Sequence, residues 1–270
     1  MKVDKNIEQE IIKRYSDGES SEKLAKEFNV NGTTICRKLK KHSIKIRSSQ
    51  ENKQLYKKDE NWLLDINTEE KAYFLGLMIS DGTVHSKREA SSISLLKDDA
   101  DVLSKISILV YGFDNTKIYS IKNSLLKIKK LDFYGKCFKN NLIKHSCMPN
   151  KTFIVTYPNT IPENLQSHFI RGLLDGDGCI YVSKNRFIVD FVGTHMLLNG
   201  VKNIINDIFR MNILFSFYKG KKHKDTICSM RINKKNDVKK FLDFIYKDST
   251  IYFNRKKDKY IEIKEQALAS

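Results

Sequence analysis

Two aspartates, Asp81 and Asp177, close matching apolar phrases and are the side chains best placed to do chemistry. The first phrase is FLGLMISDG at 74–82; the second is IRGLLDGDG at 170–178, a constant offset of 96 residues. Gly76 matches Gly172, Leu77 matches Leu173, Ser80 matches Gly176 and Asp81 matches Asp177. A repeated unit of this length points to two half-domains related by an approximate two-fold axis. Such an axis would bring the two carboxylates together. Paired carboxylates suit a hard divalent cation held against a phosphodiester, where hydrolysis needs a polarised phosphoryl oxygen, an activated water and a stabilised leaving oxygen. Like charges this close are costly unless a cation intervenes.

The elements that must position these acids can be read around each copy. Asn67 or Thr68 caps a helix through EEKAYFLGLMIS, with Glu69 and Glu70 at its positive end. The second helix starts near Ile161-Pro162-Glu163, where proline suits the first turn. Gly76 and Ser80, like Gly172 and Gly176, lie four apart on one helical face, so the two helices can cross unusually closely. Arg171 reads as an exposed position of the second helix. After each Asp-Gly the alternation turns to strand. Hairpins are expected around Lys87-Arg88 and Lys184-Asn185, and further strands at KIYSIK, LLKIKKLDF, ILFSFYKG and TICSMRIN. Helices fall between the strand pairs and again after them, at KCFKNNLIKH and VKKFLDFIYK. Each half is therefore helix-strand-strand-helix-strand-strand-helix. The fold class is α+β, with basic residues at the hairpin tips.

Residues 1–47 read as a separate module of three short helices. Ile7, Ile11 and Tyr15 fall at steps of four, and Gly18 stops the first helix. Ser20 or Ser21 caps the second, whose inner face is Leu24, Ala25 and Phe28; Ile35 and Leu39 face inward on the third. Two short helices joined by a tight turn, the second one basic, match a helix-turn-helix. The stretch GTTICRKLKKHSIKIR resembles the DNA-binding module of resolvases and invertases. Thr33, Thr34 and Arg37 are then candidates for base edges and phosphates, and Arg47 for a basic arm. Residues 48–65 are polar and read as a linker, with Trp62-Leu63-Leu64 docking onto the domain that follows. The two halves then occupy 66–158 and 159–270.

Bulk composition narrows the partner. The 270 residues carry 49 Lys and Arg against 32 Asp and Glu, a net charge of +17, and a field of that sign favours a polyanion. The five cysteines are scattered with no CxxC pair, which argues against structural zinc and for a reducing compartment. No apolar run reaches the ~18 residues of a membrane span, and the N-terminus has no secretory h-region. The expected setting is intracellular: cytoplasm, or organelle matrix for an organelle-encoded chain. His85, His195 and His223 have no ligand spacing among them.

With its two motifs, residues 66–262 resemble a LAGLIDADG homing endonuclease carrying both motifs on one chain. The resemblance implies two pseudo-symmetric αββαββα halves whose motif helices form the interface and whose sheets make a β-saddle for the DNA major groove. It implies that Asp81 and Asp177 bind the catalytic metal, Mg²⁺ with Mn²⁺ as an acceptable substitute. It also implies a lysine near the water network in each half. Lys151 stands in that place in the first half; Lys222 or Lys224 does in the second, with Lys224 preferred by its distance from the following strand. Lys87, Arg88, Lys184 and Arg186 would face DNA from the hairpins. The first acid of the motif is present as Asp175 in the second copy and replaced by Ile79 in the first. The expected activity is site-specific double-strand cleavage of a long, asymmetric DNA target by a monomer. The rival classes on this fold are a non-cleaving DNA-binding regulator and an intron RNA maturase.

Overall fold

The computed structural model describes residues 5–48, 58–121, 124–183, 186–211, 213–218 and 226–268. The chain divides into two compact units, Met1–Lys58 and Asp59–Ser270.

In the first unit, helices α1 (Lys5–Ser16), α2 (Ser21–Glu27) and α3 (Gly32–Lys41) enclose Ile11, Tyr15, Leu24, Ala25, Ile35 and Leu39. Ser20 caps α2, accepting from the Lys23 N–H. Glu8 ties α1 to the end of α3, 2.7 Å from the Lys38 ammonium and 2.9 Å from His42 Nε2. Arg47 is turned back onto this unit instead of extending as an arm. Its backbone N–H donates to the Tyr15 hydroxyl (2.8 Å), its Nη1 to the Tyr15 carbonyl (2.8 Å) and its Nη2 to the Glu19 carbonyl. The guanidinium lies 3.9 Å over the Tyr15 ring and is bonded to two carbonyls, so it packs on α1 instead of reaching outward.

The second unit repeats one topology twice. The first half runs α4 (Glu69–Ser80), β1 (Gly82–Val84), β2 (Ala90–Leu96), α5 (Asp101–Tyr111), β3 (Lys117–Ser120), β4 (Lys127–Tyr134) and α6 (Lys136–Lys144). The second runs α7 (Gln166–Asp177), β5 (Gly178–Ser183), β6 (Arg186–Thr194), α8 (His195–Phe209), β7 (Leu214–Phe217), β8 (Ile227–Ile232) and α9 (Lys235–Tyr246). Both sheets are antiparallel, with strand orders β1-β2-β4-β3 and β5-β6-β8-β7. The registers agree as well: Gly82 faces Ile93 and Ile93 faces Leu131, while Gly178 faces Phe191 and Phe191 faces Met230.

Alternation decides which face of each sheet is covered. Ile93, Leu95, Leu131 and Phe133 in one sheet, and Phe187, Val189, Phe191, Cys228 and Met230 in the other, are buried on the helix side. Their strand neighbours, Ser94, Tyr134, Tyr181, Val192 and Arg231 among them, are exposed on the opposite side. Trp62 and Leu63 dock into the same core, whereas Leu64 is exposed. A further helix, α10 (Asn254–Leu268), follows the second half; sequence patterning had closed that half at α9. Among the described residues no helix is long and apolar enough to cross a membrane.

Candidate active site

The site is built on the crossing of α4 and α7. Thr68 caps α4, accepting from the Lys71 N–H, and Glu69 and Glu70 stand in its first turn. Glu163–Leu165 forms a short 3₁₀ turn after Pro162 before α7 begins. The crossing has no room for side chains. A Cβ at Gly76 would sit 2.3 Å from the Phe169 carbonyl oxygen, and one at Gly172 would sit 2.1 Å from that of Tyr73. These are backbone-to-backbone approaches, which explains glycine at both positions. Further along, a Cβ at Gly176 would meet the Ser80 hydroxyl and come within 3.1 Å of Asp81 Oδ2.

The two sequence-predicted acids therefore come together at one end of the crossing, Asp81 as the C-cap of α4 and Asp177 as the last residue of α7. Both residues are exposed to solvent, with the packed helix ends lying against their inner side. This partial burial, reinforced by the Asp177 charge, pushes the Asp81 carboxyl up to about 6. Burial also raises Asp177, against the opposing pull of Lys151 and Lys256.

Two lysines brace these helix ends. Lys151 follows Asn150, whose φ of 55° turns the chain into a 3₁₀ turn, and its ammonium donates to the Gly82 carbonyl at 2.5 Å and lies 3.5 Å from that of Ser80. It also lines, with Asp177, Ser80, Phe153, Val192 and Thr194, an open cavity of about 320 Å³. Lys256 of α10 does the same for α7, donating to the carbonyls of Leu174, Asp175 (2.6 Å) and Gly178 (2.8 Å). The placement is crosswise, because Lys256 is the cation that acts most on Asp81 and Lys151 the one that acts most on Asp177. Lys256 is 2% exposed, and burial pulls its ammonium down to about 8. All three of its protons point at main-chain oxygens. Lys224, the sequence-based choice for this half, lies outside the described residues. Among 49 basic residues no spacing or composition singles out Lys256.

Beneath the acids lies a buried polar network that sequence reading missed. Asp175 is fully buried and accepts from the Tyr73 hydroxyl (2.8 Å), the Tyr246 hydroxyl (2.7 Å) and the Phe253 N–H (2.8 Å). Arg171, expected to be exposed, is 0% exposed. Its guanidinium donates to the carbonyls of Ile251 (2.9 Å) and Ile245 (2.7 Å) and to Glu69 Oε1 (2.6 Å). Glu69 in turn accepts from the Thr250 N–H at 2.7 Å. The end of α9 and the chain leading to α10 supply Ile245, Tyr246, Thr250, Ile251 and Phe253. Helix α4 supplies Tyr73 and the countercharge Glu69, and together they allow a charge to be buried here.

The remaining candidates are spread over the surface. Lys87 and Arg88 are exposed in the β1–β2 turn, which the buried Lys139 ammonium braces through the Arg88 carbonyl at 3.0 Å. Arg186 is exposed at the start of β6, and Lys184 lies outside the described residues. On α3, Thr33 and Arg37 are exposed and Thr34 is half-buried.

Comparison with known proteins gives the motif a family. The LAGLIDADG-like domain matches residues 164–246. Among solved structures, the chain is similar to the I-LtrWI LAGLIDADG homing endonuclease bound to target DNA, at 12% identity and a TM-score of 0.44, over 74% of this chain and 91% of that one. It is similar to full-length DUF199/WhiA from Thermatoga maritima at 15% identity and a TM-score of 0.45, over 77% of this chain and 65% of that one. A third is I-SmaMI bound to uncleaved DNA in the presence of calcium ions, at 12% identity and a TM-score of 0.45, over 75% and 91%. The search of curated proteins found no match. Residues 164–246 thus match the LAGLIDADG-like domain, and the first half of the second unit repeats their strand order, crossing glycine and terminal acid.

Proposed function

We propose that the protein is a metal-dependent endonuclease that cuts both strands of a long, asymmetric DNA site, acting as a monomer. The observation that carries this reading is the convergence of Asp81 and Asp177 at the open end of a glycine-lined helix crossing. A helix crossing needs no carboxylates there, and the Asp177 charge raises the cost of ionising Asp81.

The donor set fits Mg²⁺, with Mn²⁺ able to replace it. Among the described residues there is no cluster of three or more His, Cys, Asp or Glu side chains that could enclose an ion. Mg²⁺ is commonly held by one or two carboxylates, with water and phosphate oxygens completing an octahedron. When bound it would polarise the phosphoryl oxygen and lower the pKa of an attacking water.

The chain's own residues do the rest. Asp81 and Asp177 bind and orient, related by the same approximate two-fold that relates the strands of a duplex. The Lys151 ammonium, beside the cavity next to Asp177, places positive charge where a phosphate would gain negative charge. Lys256 has no proton left for substrate and holds the α7 end in place. Lys87, Arg88, Lys184 and Arg186 contact the duplex from the hairpins, while Thr33, Thr34 and Arg37 extend binding from the helical module as a helix-turn-helix. A chain of charge +17 gives binding that weakens steeply with salt.

The test is cleavage of a randomised duplex library in Mg²⁺, with the new ends sequenced, alongside the Asp81→Asn/Asp177→Asn double variant. Defined double-strand breaks that vanish in the variant support the reading. Tight duplex binding with no cut, in Mg²⁺ or Mn²⁺, would replace it with the DNA-binding regulator.

A further inference from the structure

The uncovered face of the second sheet carries, among the described residues, a cation that is aimed by its neighbour. Arg231 lies on β8, an inner strand of the order β5-β6-β8-β7, with Met230 and Ile232 buried on the opposite face. It stands directly across from Asp190 of β6. Its Nε and Nη2 both donate to Asp190 Oδ2, at 3.0 and 2.5 Å. The Arg231 side chain is 54% exposed and that of Asp190 only 19%. The carboxylate is seated in the sheet and the guanidinium stands out from it.

This geometry leaves a defined edge. A guanidinium has five N–H groups in a rigid plane. With Nε and one side of Nη2 committed to Asp190, the end formed by Nη1 and the second Nη2 proton presents two parallel donors away from the sheet. That edge fits either a phosphate or the O6 and N7 acceptors of guanine. Charge decides between them. Asp190 cancels the Arg231 charge locally and would repel a phosphate, whereas a guanine edge is neutral and needs only two aligned donors. The matching site of the first sheet is different: Asp132 stands opposite Ser92, with its carboxylate 2.7 Å from the Lys130 ammonium on the same strand. The first sheet therefore has no arginine fork at this place.

We propose that Arg231, oriented by Asp190, reads one guanine in the major groove and fixes it at a single, non-symmetric position of the target. The proposal rests on the DNA-binding reading above and adds a specificity-determining residue to it.

The experiment is selection of bound duplexes from a randomised library by the full chain, in EDTA so that nothing is cut. Wild type is compared with Arg231→Gln, Arg231→Lys and Asp190→Asn, each first shown to unfold at the wild-type temperature. The wild type should return a site with one fixed G. In Arg231→Gln the preference for G at that position should fall by roughly 5- to 150-fold, with other positions unchanged. Arg231→Lys should also lose it, because an ammonium lacks the fork, and Asp190→Asn should weaken it by less. Unchanged preferences in Arg231→Gln would make the pair an exposed ion pair and overturn the proposal. Uniformly weaker binding with a shallower salt dependence would make Arg231 a phosphate contact and overturn it equally. If the wild type selects no duplex, the DNA-binding reading itself fails, an outcome distinct from selection that ignores Arg231.

Discussion

The two motif helices end alike and are built differently inside. At the surface α4 offers Asp81 and α7 offers Asp177, each beside a helix end capped by a lysine. Inside, α4 has Leu75 and Ile79 where α7 has Arg171 and Asp175. The apolar pair packs into the common core. The charged pair instead anchors the returning chain at residues 245–253 and joins it to Glu69 and Tyr73 of the opposite helix. That chain leads directly into α10, which carries Lys256 to the axis. A symmetric pair of acids is thus held by an asymmetric scaffold. Near-symmetry is kept at the end that carries the two acids, and the interior differs where the connection to the next element differs.

The strongest way to break this comparison is to remove what the helices share. Alanine at Gly172 or Gly76 places a Cβ 2.1 or 2.3 Å from a main-chain oxygen that cannot turn aside. Each substitution should cost about 3 kcal/mol or more by urea unfolding, at the upper end of overpacking effects. Gly176→Ala meets Ser80, whose hydroxyl can rotate away but whose Cβ, 2.5 Å off, moves only with the helix backbone, so it should destabilise as well. Equal, small losses at all three positions would contradict the close crossing.

A second substitution targets the difference. Asp175→Asn turns one of two acceptor oxygens into an NH2 donor, so either the Tyr246 hydroxyl or the Tyr73 hydroxyl and Phe253 N–H, all donors in the present arrangement, must face another donor. The expected cost is about 2–4 kcal/mol, the range for breaking one partner of a buried polar network. Ile79→Val, at the matching place in α4, should cost about 1 kcal/mol. If the two losses match, the buried network of α7 contributes nothing that packing does not.

These residues also show what a reader of the sequence can and cannot reach. The twin motifs, their small-residue faces and the strand alternation are local signals, and both four-stranded sheets follow from them. Asp81 and Asp177 were legible because they sit inside the repeat, where the offset is fixed at 96. Outside the motif the offset drifts. It is 98 between Ile93 and Phe191, 99 between Leu131 and Met230, and 105 between Lys151 and Lys256. A strict repeat carries Lys151 onto Lys247, and strand position suggested Lys224; neither route reaches Lys256. The burial of Arg171 was illegible for a related reason. A lone arginine in an apolar helix reads as exposed, because its partners are the carbonyls of Ile245 and Ile251, about 75–80 residues on, and main-chain oxygens leave no mark in a sequence.

The lysines sharpen the comparison further. Lys256→Met strands three carbonyl acceptors in a 2% exposed site and should lower stability by about 1–3 kcal/mol. Lys151→Met strands carbonyls that the adjoining open cavity lets water reach, so it should cost below about 1 kcal/mol. Thermal unfolding of the two variants measures the contrast directly. The reverse order of losses would mean that Lys256, not Lys151, is the ammonium free to face substrate.

The smallest effect is electrostatic and tests whether the two acids sense each other. Asp81 in the folded chain holds its proton up to about 6, against an ordinary value near 3.8 when unfolded. Its protonation therefore favours folding fully below pH ~4, and that contribution is lost as pH rises through ~6. With an edge of the carboxylate open to water, the expected size is below about 1 kcal/mol. Measured in EDTA, Asp81→Asn should flatten this part of the stability–pH curve and be slightly more stable than wild type at pH 7–8. Asp177→Asn should only lower the midpoint of the drop, because burial, the larger cause of the raised Asp81 value, remains. A wild-type curve already flat between pH 4 and 6 would mean that the acids stand too far apart, or too well hydrated, to share one cation.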